Sequence, residues 1–108
     1  EAPELARLIA SGNAEAKRDA LFRIRNHRTA EASRLAVPAL SDRDEMVRAT
    51  APASVVFLPG EEAVAALLPL LGDRSDFVRR EAAYALGTVG DERASASLIR
   101  MLERDKVY

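Results

Sequence analysis

The sequence predicts an all-α solenoid in which about seven helices form stacked antiparallel pairs. The first observation is an internal repeat, because a shift of 31 residues places the chain on itself without a gap. The second is that each repeat contains two apolar patterns with helical spacing. The third is that no sustained alternation of apolar and polar residues indicates strands. Such a repeat is typical of proteins whose units bury their apolar faces against their neighbours.

The repeat is clearest between the second and third units of the chain. Pro38, Leu40, Asp42, Arg43, Val47, Arg48 and Ala51 recur as Pro69, Leu71, Asp73, Arg74, Val78, Arg79 and Ala82. A weaker first copy contains Leu5, Leu8, Ile9, Lys17, Ala20 and Ile24. We therefore expect one domain with units at about 1–29, 30–60 and 61–90 and a partial unit at 91–108.

The third unit defines two helices, and its pattern predicts the others. Its first helix has a broad apolar face and ends at Gly72 and the polar residues that follow. Its second helix places Val78, Ala82 and Leu86 on one face. Projected onto the whole chain, this unit predicts helices at 3–10, 14–26, 30–40, 44–58, 61–71, 75–88 and 91–104.

Proline conflicts with the helical pattern in three places. Pro52 lies inside the fourth predicted helix, where the third unit has Ala83. Because proline lacks an amide donor and clashes with the preceding turn, we expect a kink there or a helix that starts later. Pro38 and Pro69 lie late in their predicted helices and should bend them mildly.

Composition limits the classes of function. The net charge is −1 with 31% charged residues, so the surface lacks the basic excess that phosphate binding favours. The chain has no cysteine, which excludes disulfides and thiolate chemistry. The longest apolar run, 63–71, is well short of the ~20 residues that cross a bilayer. The start of the chain lacks the pattern of a secretory signal, so we expect a cytoplasmic protein.

The segment DFVRREAAYALGTVGDERA, residues 76–94, followed by Leu98, Ile99 and Leu102, resembles the HEAT-like repeat of the phycobilisome-lyase type. That pattern joins an apolar helix, an Asp-containing turn and a helix of the form Val-Arg-x-x-Ala-Ala-x-x-Leu-Gly. The second unit departs from it at Pro52 and Val56, and the first at Lys17. The resemblance implies a right-handed solenoid whose concave side is lined by helices 14–26, 44–58 and 75–88.

Two Asp–Arg pairs recur at the same spacing, Asp42 with Arg48 and Asp73 with Arg79. We interpret them as structural residues of the repeat, in which Asp caps the inner helix. Arg then reaches an Asp or a carbonyl group of a neighbouring unit. The alternative interpretation is a charged ladder that binds a partner.

His27 is the single histidine and falls at an apolar position of the repeat. A metal site would need further His or Cys ligands, and a catalytic base would need a nucleophile or acid beside it. We interpret His27 as a tolerated, partly exposed substitution. We expect no metal, no cofactor and no catalytic residue.

The predicted partner-binding surface consists of inner-helix positions that differ between units, and of one residue that continues their row. It contains Phe22, Met46, Phe77, Arg80, Glu81, Tyr84 and Tyr108. Aromatic, Met and Arg side chains are typical of interaction hot spots. Tyr84 is expected to be exposed, whereas Phe22 and Phe77 either bind a partner or fill gaps between inner helices. The remaining aromatic residue, Phe57, is predicted to lie elsewhere.

The leading functional hypothesis is a non-enzymatic scaffold that binds a protein or peptide on its concave face. By resemblance, the alternative is an accessory subunit of a bilin or other prosthetic-group lyase. Near-neutral charge disfavours nucleic-acid binding, and Pro52 disfavours a designed consensus repeat. Because the chain begins and ends on outer-type helices, we expect a fragment of a longer array or end-to-end self-association.

Overall fold

The computed structural model describes residues 1–90, which form six α-helices. These helices are α1 (Ala2–Ser11), α2 (Ala14–His27), α3 (Ala30–Ala36), α4 (Glu45–Thr50), α5 (Gly60–Leu67) and α6 (Asp76–Val89). Within those 90 residues every regular element is helical, which confirms the predicted all-α class. The seventh predicted helix, 91–104, lies outside the described residues.

The helices form two layers whose members stack from one unit to the next. In the inner layer α2 contacts α4, and α4 contacts α6. In the outer layer α1 contacts α3, and α5 contacts the short 3-10 helix that follows α3. The inner helices of the three units therefore lie side by side, as in an α-solenoid.

Small residues at one position of the repeat allow the inner helices to approach closely. Ala20, Ala51 and Ala82 are 31 residues apart, and each is fully buried. Larger apolar side chains fill the space between the layers, including Leu21 from α2 and Leu67 from α5. The core is therefore a continuous layer between the inner and outer helices.

A capping residue begins each inner helix, again at intervals of 31 residues. The Asn13 side chain accepts a hydrogen bond from the Ala16 amide, Asp44 from the Met46 and Val47 amides, and Ser75 from the Val78 amide. The expectation that Asp42 and Asp73 are the caps is wrong. Each lies two residues earlier and accepts a hydrogen bond from the backbone amide of the capping residue instead. From this position, neither aspartate side chain caps the amides in the first turn of its helix.

Pro38, Pro52 and Pro69 are each the second residue of a short 3-10 helix. The α-helical pattern changes to 3-10 geometry at Val37–Ser41, Ala51–Ser54 and Leu68–Gly72. Without an amide hydrogen, proline leaves one α-helical hydrogen bond unmade, and the tighter 3-10 turn continues the chain. The disturbance expected at Pro52 is confirmed, but the helix predicted to run to residue 58 is wrong, because α4 ends at Thr50.

Buried Ser33 and Ser54 of the second unit are linked by a hydrogen bond, and Ser54 ties this unit to the first. The Ser33 hydroxyl donates to the Ser54 carbonyl at 2.7 Å, and the Ser54 hydroxyl donates to the Leu21 carbonyl at 2.6 Å. Both side chains are essentially inaccessible to solvent. Because buried hydroxyls without partners are costly, these two hydrogen bonds make the contact between α2, α3 and the second 3-10 helix specific.

Candidate binding groove

A groove of about 370 Å³ runs across the inner layer and is lined by all three units. The binding groove, as we call it, includes Phe22 and Arg25 from α2, Phe57 from the second unit, and Glu81 and Tyr84 from α6. A surface shared by successive repeats is the usual place where a solenoid binds another molecule.

Two rows of the repeat build the binding groove. Phe22, Ala53 and Tyr84 are 31 residues apart, and all three line it. The second row lies four residues further along each unit and consists of Asn26, Phe57 and Thr88. In the first row, the small Ala53 lies between two aromatic positions. The groove is therefore open at its centre and aromatic at its two sides.

Two of the three aromatic side chains of the groove are largely exposed. Phe22 is 47% accessible and Tyr84 is 79% accessible, and Phe57 is partly buried. When a partner covers exposed apolar surface, binding gains about 25 cal/mol of free energy for each Å² that is buried. Two exposed rings and one partly buried ring in the same depression therefore have the composition of an interaction site.

The expectation that Phe57 lies away from this surface is wrong. After α4, the 3-10 helix that contains Pro52 and the turn after it carry Phe57 into the same depression as Phe22 and Tyr84. The sequence contained a signal, because Phe57 has the same position in its unit as Asn26 and Thr88. The predicted surface stopped at the row of Phe22 and Tyr84 and did not include the row one helical turn later, which contains Phe57.

The other predicted surface residues have different surroundings. Met46 is 41% accessible but does not line the binding groove. Phe77 is partly buried and packs against the core, which matches the gap-filling alternative considered for it. Arg80 is exposed and lies 3.6 Å from the Asp76 carboxylate on the same helix. Tyr108 lies outside the described residues.

The four basic side chains at the C-terminal end of α2 and at its C-cap divide into two groups. Towards α1, the Arg23 guanidinium donates to Glu1 at 3.0 Å and to Glu4 at 3.3 Å. His27 Nε2 is 2.9 Å from the same Glu1 carboxylate. Hydrogen bonds from Arg23, and then from His27, lower the pKa of Glu1 below its ordinary value. Glu1 and Glu4 at the start of α1 thus face these two basic side chains.

The other group consists of Arg25 and Arg28, which line the binding groove. Both side chains are exposed, and within residues 1–90 neither has a carboxylate within ion-pair distance. The groove has one acidic side chain of its own, Glu81, on the α6 side. The charge across the groove is therefore polarised, with its positive side on α2.

Arg28 has a left-handed backbone conformation, with φ 56° and ψ 41°. Its equivalent at the end of α6 is Gly90, 62 residues later, with φ 77°. Glycine adopts this conformation readily, whereas a residue with a β-carbon pays about 1–2 kcal/mol. The first unit therefore keeps an arginine at a backbone position that would favour glycine.

The recurring Asp and Arg residues lie between units and away from the aromatic groove. Arg48 donates to both carboxylate oxygens of Asp73, at 2.9 and 3.2 Å, and to the carbonyls of Asp42 and Arg43, each at 3.1 Å. In the first unit, Lys17 forms the corresponding ion pair with Asp42. Arg79 donates to the Asp73 carbonyl at 2.9 Å. The Lys17–Asp42 and Arg48–Asp73 ion pairs join one unit to the next, whereas the bonds to backbone carbonyls lie within one unit.

Burial and hydrogen bonding oppose each other at the two aspartates of these pairs. Burial alone would raise the pKa of Asp73, but hydrogen bonds from Arg48 and from the Ser75 amide lower it below the ordinary value. At Asp42, burial is likewise outweighed by hydrogen bonds from Lys17 and from the Asp44 amide, so its pKa is also lowered. Both carboxylates are therefore held in the charged form.

Neither a metal site nor a membrane span is found in the part of the chain that the structure describes. Over residues 1–90 the His, Asp and Glu side chains do not form a group of three that could hold a metal ion. None of the helices α1 to α6 combines the length and apolar character needed to cross a bilayer.

A family model of HEAT repeats matches residues 57–108, which begin at the end of the second unit and include the whole third unit. No curated protein matches the chain. The match supports a HEAT-like repeat family, and the phycobilisome-lyase type within it stays a prediction. Residues 57–108 are thus similar to HEAT repeats, in agreement with the stacked helix pairs of the described residues.

Proposed function

We propose that this protein is a non-enzymatic scaffold that binds a protein or peptide segment in the binding groove. The observation that carries the proposal is the convergence of Phe22, Phe57 and Tyr84, one aromatic ring from each unit, on a single open depression. Stacked helical repeats commonly present such extended surfaces to other proteins.

The chemistry of the groove supports binding over catalysis. Among the described residues that line it, the ionisable side chains are the guanidiniums of Arg25 and Arg28, the carboxylate of Glu81 and the phenol of Tyr84. Guanidiniums stay protonated at all physiological pH values and do not act as acids or bases. Aromatic rings around a small central residue instead provide apolar area and a shape that a side chain can enter.

Two opposite variants test this proposal. Tyr84→Ala removes a ring that is 79% accessible, and Ala53→Leu fills the centre of the groove without removing any ring. Both variants should weaken binding of peptides selected on the unmodified chain. Tyr84→Ala removes contact area, and Ala53→Leu fills the space that a peptide side chain would enter. Truncation of an aromatic hot-spot residue typically costs about 2 kcal/mol or more of binding free energy.

The matched controls lie outside the groove. Met46→Ala shortens an exposed apolar side chain, and Ala65→Leu enlarges an exposed alanine of the outer helix α5. The selection uses a random peptide display library, and affinities are measured by fluorescence anisotropy. If the two groove variants bind the selected peptides as tightly as the two controls do, the proposal is wrong.

The resemblance to the phycobilisome-lyase type implies an alternative in which the groove holds a pigment. Titration of the protein with a free bilin separates the two functions, since a bound pigment changes its visible absorbance. An absorbance change that Ala53→Leu abolishes would favour the alternative.

We also propose that end-to-end self-association continues the solenoid. The apolar stripe that motivates this idea, at Leu98, Ile99 and Leu102, lies outside the described residues. Light scattering over a range of concentrations tests it, and a constant monomer mass at high concentration would contradict it.

A further inference from the structure

We propose that the segment bound in this groove is an acidic peptide. It places an aromatic or large apolar side chain between Phe22 and Tyr84 and a carboxylate against Arg25 and Arg28. This inference rests on the proposed function and identifies the chemistry of its partner.

The charge of the partner follows from the selective pairing of the basic side chains at the C-terminal end of α2. Arg23 and His27 face the carboxylates of α1, at 3.0 and 2.9 Å from Glu1. Arg25 and Arg28, which line the groove, have no such carboxylate among the first 90 residues. A guanidinium and a carboxylate form strong, often bidentate hydrogen bonds, so these two side chains select for an acidic group.

The position of Glu81 sets the direction in which the peptide lies. Glu81 is on the α6 side of the groove, opposite the two arginines on α2. A carboxylate of the peptide is attracted towards α2 and repelled from α6. Repulsion between Glu81 and the peptide carboxylate disfavours a peptide bound in the opposite direction more than it changes the overall affinity. The peptide therefore places its acidic residue on the α2 side of its apolar anchor.

The backbone of Arg28 supports the same conclusion. The equivalent residue of the third unit is Gly90, which adopts the left-handed conformation with little cost. Arg28 adopts it with a β-carbon, at φ 56°, and lines the groove. A strained residue at a binding surface is understandable when its side chain contributes to recognition.

The test is a random peptide display selection on the 108-residue chain and on two charge-reversed variants. The first variant is Arg25→Glu with Arg28→Glu. The control is Arg7→Glu with Arg43→Glu, which reverses two exposed arginines that do not line the groove. We expect the unmodified chain and the control to select peptides rich in Asp, Glu and aromatic residues. The groove variant should lose the acidic preference.

One selected peptide then gives the affinity. Replacement of its Glu or Asp residues with the corresponding amides should weaken binding to the unmodified chain at least tenfold, and hardly at all to the groove variant. The affinity for the acidic peptide should also fall as salt rises.

The outcomes separate this inference from the proposed function. If peptides are selected by their aromatic residues without an acidic preference, the function stands and the inference is wrong. If no peptide is selected on any variant, the proposed function fails as well. Binding of a single-stranded DNA probe through Arg25 and Arg28, with no acidic peptide selected, would also overturn the inference.

Discussion

Arg48 of the second unit and Asp73 of the third form a bidentate ion pair that is almost fully buried. The two hydrogen bonds measure 2.9 and 3.2 Å, and the side chains are 7% and 12% accessible. The remaining donors of Arg48 reach two backbone carbonyls of its own unit. Because every group has a partner, the pair fixes how one unit sits on the next.

Loss of this pair is expected to destabilise the protein strongly. Arg48→Met leaves Asp73 buried without its guanidinium, which typically costs about 3–5 kcal/mol of unfolding free energy. Arg34→Met is the matched control, because Arg34 makes a similar bidentate pair with Glu62, both bonds at 3.0 Å, but on the surface. Urea unfolding of both variants provides the measurement. Equal destabilisation would show that burial of the Arg48 pair has no energetic importance.

Acid is expected to weaken the stacking of the units. The pKa values of Asp42 and Asp73 are below their ordinary value of 3.8 in the folded chain. A depressed folded pKa contributes stability that is fully present above the unfolded pKa and is lost as the pH falls through the folded pKa. The free energy of unfolding should therefore decline below about pH 4.

A urea series from about pH 7 to about pH 2.5 measures this decline. The Asp73→Asn variant should show a shallower pH dependence, because it has lost one of the two titrating groups. An unfolding free energy that does not change over the acidic part of the series would contradict the role of these carboxylates.

Arg28→Gly is expected to stabilise the fold and weaken partner binding. Glycine removes the steric cost of the left-handed conformation, so the unfolding free energy should rise by about 1 kcal/mol. Arg28→Ala is the control, because alanine also has a β-carbon and keeps the strain while losing the guanidinium. Thermal unfolding distinguishes the two variants. If glycine and alanine give the same stability, the backbone of Arg28 is not strained.

Ser54→Ala is expected to cost about 1–2 kcal/mol of stability. The substitution removes the buried hydrogen bond, 2.6 Å long, from the Ser54 hydroxyl to the Leu21 carbonyl of the first unit. Thr50→Ala removes a hydroxyl bond of similar length, 2.7 Å to the Met46 carbonyl, within one helix and near the surface. The Thr50 variant should therefore be closer to the unmodified chain in chemical unfolding. The opposite order would rule out a linking role for Ser54.

Most of the helical framework could be predicted from the repeat because its signals are local. Apolar spacing located the inner and outer helices, and the 31-residue period located the fully buried Ala20, Ala51 and Ala82 without knowledge of the packing. The caps were less accessible, since Asp42 and Asp73 recur as regularly as the true caps Asp44 and Ser75. Only the positions of the backbone amides distinguish these two pairs of residues.

The candidate site was predicted in part. Phe22, Glu81 and Tyr84 were predicted to share one surface, and all three line the binding groove, because an inner-helix row that differs between units is visible in the sequence. Phe57 was missed, because its position depends on how the chain leaves α4 after Pro52. Phe77 could not be assigned to the core or the surface from its helical position alone, because its exposure depends on the neighbouring unit.

By itself the sequence determined the repeat, the pairing of helices and the residues that units bury against each other, because each depends on spacing within about thirty residues. The tertiary structure decided which side chains meet. Stacking brings Phe22, Phe57 and Tyr84 from three units into one groove. Only the packed arrangement shows that, over residues 1–90, Glu1 lies beside Arg23 and His27 while Arg25 and Arg28 have no carboxylate within ion-pair distance. Contacts between units depend on the path of the chain through each turn, which periodicity does not specify.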